Sequence, residues 1–255
     1  MMEAFSVMVY RQIKRFVRAR SRLVGMIINP LIWIVFFGLG WSKVFDFPYA
    51  EIIFGGVDYL TFLSPGVMSM TIFATSFVAG ISVIWDKQFG FLKEVLVAPS
   101  PRSEAMAGRI VGDSLMALLQ GAIILGLMFI LASDLNPAGI LPAAGVGFLV
   151  AVSFSSLGVT IALKMRSMEG FQMLMNFIML PLLFLSGAFY PITTMPEWMK
   201  VLAYLNPLTY AVDGMRYFLA GTSVMHPMID VLLLAFLSIV LLSVAMLTFR
   251  EATIE

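Results

Sequence analysis

Side chains able to do chemistry are few in this chain, and they do not cluster. His226 is the single histidine, it stands directly before Pro227, and there is no cysteine. Disulfides and thiolate metal sites are therefore excluded, no metal site is expected, and a lone loop histidine reads as a structural or solvated residue. With one histidine, no cysteine and no carboxylate cluster, an integral membrane enzyme has no constellation to work with. None of the six lysines follows a glycine, so the chain lacks a Gly-Lys-Ser/Thr phosphate loop and cannot itself be an ATPase.

What remains is a set of amides and scattered charges. Gln120, Gln172 and Asn176 lie inside long apolar runs. Amides there usually point toward protein or water, which makes these three candidates for lining a polar path, with interhelical hydrogen bonding as the alternative. Asp113 precedes 20 uncharged residues that already suffice to cross a bilayer. Placing it centrally would cost about 3 kcal/mol, so it is expected at the membrane surface. Asp213 and Arg216 are three apart and could pair on one helical face; exposed, such a pair contributes about 0 to 1 kcal/mol. Glycines 108 and 112 have helix-packing spacing, but a chain with 20 glycines holds such pairs by chance, and nothing is drawn from them.

The elements that must position these residues are membrane helices. Uncharged runs extend from Leu23 to Ser42, Tyr59 to Trp85, Ser114 to Ser133, Leu135 to Leu163, Gly170 to Pro196 and Val231 to Phe249. A hydrocarbon core of about 30 Å needs roughly 20 helical residues, and each run reaches that length. With 60% hydrophobic and 12% charged residues and a mean hydropathy of +0.97, a soluble fold is excluded. The expectation is an all-α protein of six spans in a single domain over residues 1–255. The first run is too long for a signal-peptide core and reads as a retained helix. Six spans put both termini on one side, where 13 of the 16 Lys and Arg also fall; only Lys43, Lys200 and Arg216 lie opposite. Positively charged loops stay inside, so both termini are expected to be cytoplasmic.

Three segments depart from plain spanning. Over residues 3–22, Arg11, Lys14, Arg15, Arg18 and Arg22 gather on one helical face, and Phe5, Val9, Ile13 and Phe16 on the other. That predicts an interfacial amphipathic helix whose basic face meets anionic headgroups, as a topology anchor or with a gating or partner role. The loop at 86–104 carries Phe89, Phe91, Leu92, Val95, Leu96 and Val97 among Lys87, Lys93 and Glu94 before Pro99-Ser100-Pro101. Residues 89, 92, 93 and 96 share a face, so a short helix could offer a knob to a soluble partner or dip into the membrane interface. Finally, Pro181, Gly187, Pro191 and Pro196 interrupt the fifth run. Its helix is expected to end near Phe189 or Tyr190, followed at 190–219 by a re-entrant or interfacial helical hairpin rich in Tyr and Trp.

Two stretches resemble a known family. One runs Trp85-Asp86-Lys87-Gln88-Phe89-Gly90-Phe91-Leu92-Lys93-Glu94-Val95-Leu96-Val97-Ala98-Pro99-Ser100-Pro101-Arg102. The other is Leu185-Ser186-Gly187-Ala188-Phe189-Tyr190-Pro191, then Met195-Pro196 and Asn206-Pro207-Leu208-Thr209-Tyr210-Ala211-Val212-Asp213-Gly214-Met215-Arg216. Together they are similar to the permease subunits of type-2 ATP-binding-cassette (ABC) exporters, especially daunorubicin-resistance and nodulation-factor export permeases. One departure is Lys93-Glu94, where the family pattern is closer to Leu-Glu.

The resemblance implies a coupling helix received by a separate ATP-binding subunit, with Asp86, Phe89, Gly90, Leu92, Lys93, Glu94, Leu96 and Arg102 as its residues. It implies an outer re-entrant cap carrying Gly187, Tyr190, Pro191, Pro196, Asn206, Pro207, Tyr210, Asp213 and Arg216. ATP and Mg would be bound by the partner subunit and no cofactor by this chain. Two permease chains, identical or paired, would flank one path in the cell membrane, with no role for nucleic acid. The expected cargo is an amphiphilic or hydrophobic molecule, whether drug-like, lipid or lipid-linked saccharide. A gradient-driven secondary transporter is the alternative; it would normally need an ionisable relay or internal repeats, and neither is evident in the runs.

Overall fold

The computed structural model describes residues 3–18, 20–45, 49–132, 134–165 and 167–251. Among these residues every regular element is helical: α1 (Glu3–Arg18), α2 (Arg20–Trp33), a π-helical stretch Ile34–Leu39 leading into α3 (Gly40–Ser42), α4 (Ala50–Ile53), α5 (Tyr59–Val78), α6 (Ile81–Gln88), α7 (Phe91–Val97), α8 (Arg102–Leu131), α9 (Ile140–Lys164), α10 (Met168–Leu185), α11 (Glu197–Leu205), α12 (Pro207–Ala220) and α13 (Pro227–Glu251). The all-α expectation holds. Among the described residues, five helical segments are long and apolar enough to cross a membrane: Tyr59–Gln88 (α5 with α6), Arg102–Leu131, Pro137–Lys164, Met168–Leu185 and Pro227–Glu251, with Ile28–Ser42 a shorter apolar helix.

α5 is the axis of the bundle, enclosed by α8, α9 and α12, while α13 packs along α9. Polar caps and back-bonds let it run through apolar surroundings. Asp58 caps its start by accepting from the Leu60 and Thr61 amides, and Ser69 and Thr71 donate to the carbonyls of Pro65 and Val67. Around it the core is aromatic, with Phe73 edge-on to Phe154 at 4.4 Å between ring centroids.

Several boundaries differ from the sequence expectation. The run from Tyr59 to Trp85 folds as two helices, α5 and α6, with a turn at Ala79–Gly80. A side chain at Gly80 would lie 2.5 Å from the Gly158 carbonyl oxygen, so the break sits where α9 comes closest. α10 ends at Leu185, short of the expected Phe189 or Tyr190, because Gly187 turns the chain at φ +74°. The amphipathic helix ends at Arg18, and Arg20 to Arg22 belong to α2.

α1 does not float free of the bundle: it lies along α8, burying Met8 and Gln12. Gly108 and Gly112 make that approach possible, since a Cβ there would stand 2.4 Å from the Phe5 carbonyl oxygen and 2.9 Å from the Gln12 Cβ. The glycine pair that spacing alone could not distinguish from chance is the seam between α1 and α8.

Candidate transport cavity and docking face

A cavity of about 650 Å³ lies among α2, α5, α6, α8 and α10, with α1 at one end. All three amides singled out from the sequence, Gln120, Gln172 and Asn176, line it. Gln120 projects from α8 and accepts a hydrogen bond from the Thr75 hydroxyl of α5 at 2.5 Å, so it also makes an interhelical contact. Gln172 and Asn176 are one turn apart on the exposed side of α10. Between the polar groups the walls are apolar and adaptable, with Met70, Met116, Met175 and Met179. From Val67 to Val78 the lining follows α5 for roughly 16 Å at about 1.5 Å per residue, about half of a bilayer core, and continues past the turn to Ser82 on α6. At the end away from α1 lie Trp33 and Leu183. Trp33 stacks into a group with Phe37 and Phe189 at centroid distances of 4.8 to 5.2 Å.

At the α1 end the cavity meets a knot of charge. Asp86, near the end of α6, is only 5% exposed. Its Oδ1 takes Arg11 Nη2 at 2.8 Å and its Oδ2 takes Arg109 Nη1 at 2.5 Å, with Arg15 Nη1 3.8 Å from Oδ1. Arg109, 1% exposed, also donates to the Ser82 hydroxyl at 2.6 Å. A buried guanidinium is tolerable only with a carboxylate and further acceptors around it. Asp86 therefore faces inward and joins three elements. Asp113 accepts from Gln12 Nε2 at 2.8 Å and lines the same end of the cavity.

The expected single knob at 89, 92, 93 and 96 is divided. Gly90 takes the left-handed turn, φ +81°, that separates α6 from α7. Phe89 therefore stands outside the helix at 83% exposure, whereas Leu92 turns into the core. Lys93, Glu94 and Val97 are exposed with Phe89; the Leu96 side chain lies outside the described residues. Behind this face Arg11 sits 3.7 Å over the Phe91 ring, so α7 rests on α1. Arg102 donates to the Arg250 carbonyl, linking the start of α8 to the end of α13.

At the opposite end, α11 and α12 form two short helices joined at Asn206. Pro196 precedes α11, and Asn206 caps α12 with Pro207 in its first turn. The Asn206 amide also donates to the Leu182 carbonyl at 2.7 Å, fastening the joint to α10. Tyr210 donates to the Tyr204 carbonyl and Tyr190 to the Phe184 carbonyl, while Pro191 leads into the short helical turn Ile192–Thr194. Asp213 and Arg216 do not form the hydrogen-bonded pair that their spacing suggests, and neither is on the surface. Asp213 accepts from the Val224 and Met225 amides, while Arg216 donates to the Phe62 and Gly187 carbonyls and lies over the Phe62 ring. Each is 2% exposed or less, and each binds backbone in a different direction. His226 accepts from the Met228 amide and starts α13, a structural use.

The family model for the ABC-2 type transporter matches residues 3–220, from α1 to the last residue of α12. The chain belongs to the ABC-2 type transporter family. It is 29% identical over 222 residues to the putative transport permease ycf38 of Porphyra purpurea, covering 86% of this chain and 75% of that one. Over 214 residues it is 26% identical to the inner membrane transport permease YadH of Escherichia coli K12, covering 83% and 80%. Over 221 residues it is 28% identical to the daunorubicin resistance ABC transporter permease protein DrrB1 of Streptomyces coeruleorubidus, covering 84% and 74%. This ABC-2 chain is a multi-pass membrane permease, and both the cavity and the α7 face fall inside the matched region.

Proposed function

We propose that this chain is the membrane-spanning half of an ATP-driven exporter. It moves an amphiphilic or hydrophobic molecule out of the cytoplasm through the cavity among α2, α5, α8 and α10. The observation that carries this reading is that one cavity between the apolar helices collects Gln120, Gln172 and Asn176 between methionine walls. Such a surface suits a cargo with both polar and apolar parts. The drug-resistance name of the DrrB1 relative supports export, and drug-like molecules, lipids and lipid-linked saccharides all fit the class.

ATP and Mg bind on a separate ATP-binding-cassette subunit that docks on Phe89, Lys93, Glu94 and Val97. Its movement passes through Gly90 and α7 to Arg11 on α1 and to Asp86 on α6, which lines the cavity. ATP-driven closure of that subunit then selects between two arrangements of the bundle. In this reading the helix from Arg20 to Ser42 is the first of six spans, both termini are cytoplasmic, and α1 lies at the membrane surface. The α11–α12 pair re-enters the outer leaflet, and a second copy or a paired permease closes the other side of the path.

The test is co-purification of the tagged chain from native membranes in mild detergent, beside a Phe89→Asp variant. Phe89 is a better target than the buried Leu92, whose replacement would disturb the core. A co-purifying ATPase lost in Phe89→Asp supports the reading, and absence of any ATPase from both samples removes it.

A further inference from the structure

Asp230 is a carboxylate that neither the cavity nor the charge knot uses. It lies in the first turn of α13, at the end of the bundle opposite α1, and is 0% exposed. Neither of its carboxyl oxygens has a hydrogen-bond partner. The side chain rests on α12 at Gly214, where an added Cβ would stand 3.3 Å from the Asp230 Cβ, 3.8 Å from its Oδ2 and 3.7 Å from Val146 Cγ1 of α9. The start of α13 does not satisfy it either: His226 takes the Met228 amide, and no amide of the first turn reaches the Asp230 oxygens.

The helices packed around it supply no counter-charge. On α12, Asp213 accepts from the Val224 and Met225 amides and adds a like charge, Tyr210 donates to the Tyr204 carbonyl, and Arg216 directs its nitrogens to the Phe62 and Gly187 carbonyls. α9 carries no ionisable residue before Lys164 at its far end, and α8 carries Arg102, Glu104, Arg109 and Asp113 in the half next to α1. Within α13 the next charge is Arg250. A metal ion would need several oxygen ligands, and among the described residues no group of three or more His, Asp or Glu is gathered to hold one. A proton needs no cavity and no second ligand, and an enclosed carboxyl without donors or cations is far cheaper to keep as the neutral acid.

We propose that Asp230 is a proton-binding site and the latch between α12 and α13: as a neutral carboxylic acid it packs on Gly214, and as a carboxylate it leaves. On release the O–H bond breaks, its electron pair stays on the carboxylate oxygen and the proton passes to water. The charged side chain then follows toward water past the exposed Met228 and Ile229, and the first turn of α13 lifts from α12. The latch concerns this joint alone and is independent of the cavity being the transport path.

Infrared spectroscopy of the purified full chain in a neutral detergent tests it, because the carbonyl stretch of a protonated carboxyl is separate from the bands of an ionised one. At neutral pH the parent should show this band, Asp230→Asn should lose it, and Glu94→Gln, at an exposed carboxylate, should keep it. Absence of the band from the parent, or an unchanged band in Asp230→Asn, overturns the proposal. Asp230→Asn copies the neutral acid, so it should melt above the parent or within about 2 °C below it; a larger fall shows an ionised carboxylate with a counter-charge and overturns the proposal. Stabilisation of the parent but not of Asp230→Asn by millimolar sodium or potassium chloride also overturns it, in favour of a metal cation. Raising the pH until the band disappears should speed amide hydrogen exchange across residues 207–220 and 227–231 together in the parent and not in Asp230→Asn. Loss of the band with exchange unchanged overturns the latch.

Discussion

Replacing Asp86 by Asn removes the one carboxylate shared by three guanidiniums while keeping the size of the side chain. The structure sets the scale of the effect. Arg109 is 1% exposed and its counter-ion lies 2.5 Å away, so the variant strands a buried cation. Removing one partner of such a buried pair costs about 3 to 5 kcal/mol. Arg11 and Arg15 are each 26% exposed, so water can partly replace what they lose and their share is small. At about 2 to 4 °C per kcal/mol for a chain of this size, the apparent melting temperature should fall by roughly 6 to 20 °C. The assay is tryptophan fluorescence during heating of detergent-solubilised protein. The sharper measurement is the pair of variants: Asp86→Asn with Arg109→Met removes both buried charges and should recover at least half of the loss, because an apolar replacement of a complete pair is often neutral. If Asp86→Asn melts within 2 °C of the parent, the carboxylate is not neutralising Arg109 and the account of this knot is wrong.

Gly108→Leu should unseat α1 from α8, seen as faster amide hydrogen exchange across residues 3–18 with little change in α9 and α13. Arg216→Lys should be nearly as damaging as Arg216→Met, about 2 kcal/mol or more, because a point ammonium does not reproduce the planar fork that reaches the Phe62 and Gly187 carbonyls; thermal unfolding reads it. Since the chain has no cysteine, single cysteines report orientation directly. Glu197→Cys should react with an impermeant maleimide in intact cells and Glu94→Cys only after permeabilisation, and the reverse result inverts the proposed topology. Phe89→Asp should leave the melting temperature within 2 °C, as expected for an 83% exposed residue, while removing ATPase co-purification.

How much of this was legible beforehand depended on whether the signal was local. Run lengths report helices long enough to cross, because desolvating backbone in lipid leaves few other solutions. The amides Gln120, Gln172 and Asn176 were legible as cavity candidates for the same reason: each is costly in lipid on its own. The burial of Asp86 is not legible in the sequence, because its partners Arg11 and Arg109 are 75 and 23 residues away and no local pattern marks a carboxylate as shared. Asp213 and Arg216 fail in the opposite way, since correct helical spacing suggested a pair while backbone carbonyls and amides from other segments supplied the partners. The glycines at 108 and 112 carried the right motif, but only the position of α1 gives them a function. Phe89 and Leu92 share a face on an ideal helix, and the left-handed turn at Gly90 separates them.

The π-helical stretch at Ile34–Leu39 has one further consequence. A π turn is an α-helix that has taken in an extra residue, so the rungs before and after it are out of step by one position. Moving that extra residue toward the N-terminus by one turn would rotate the side chains it passes by about 100° while both ends of the helix stay where they are. Trp33 stands immediately before the stretch, forming a wall of the cavity and resting against Phe37 and Phe189. Such a shift would act like a swivel in a rod, re-aiming one facet of the cavity without translating the helix that carries it.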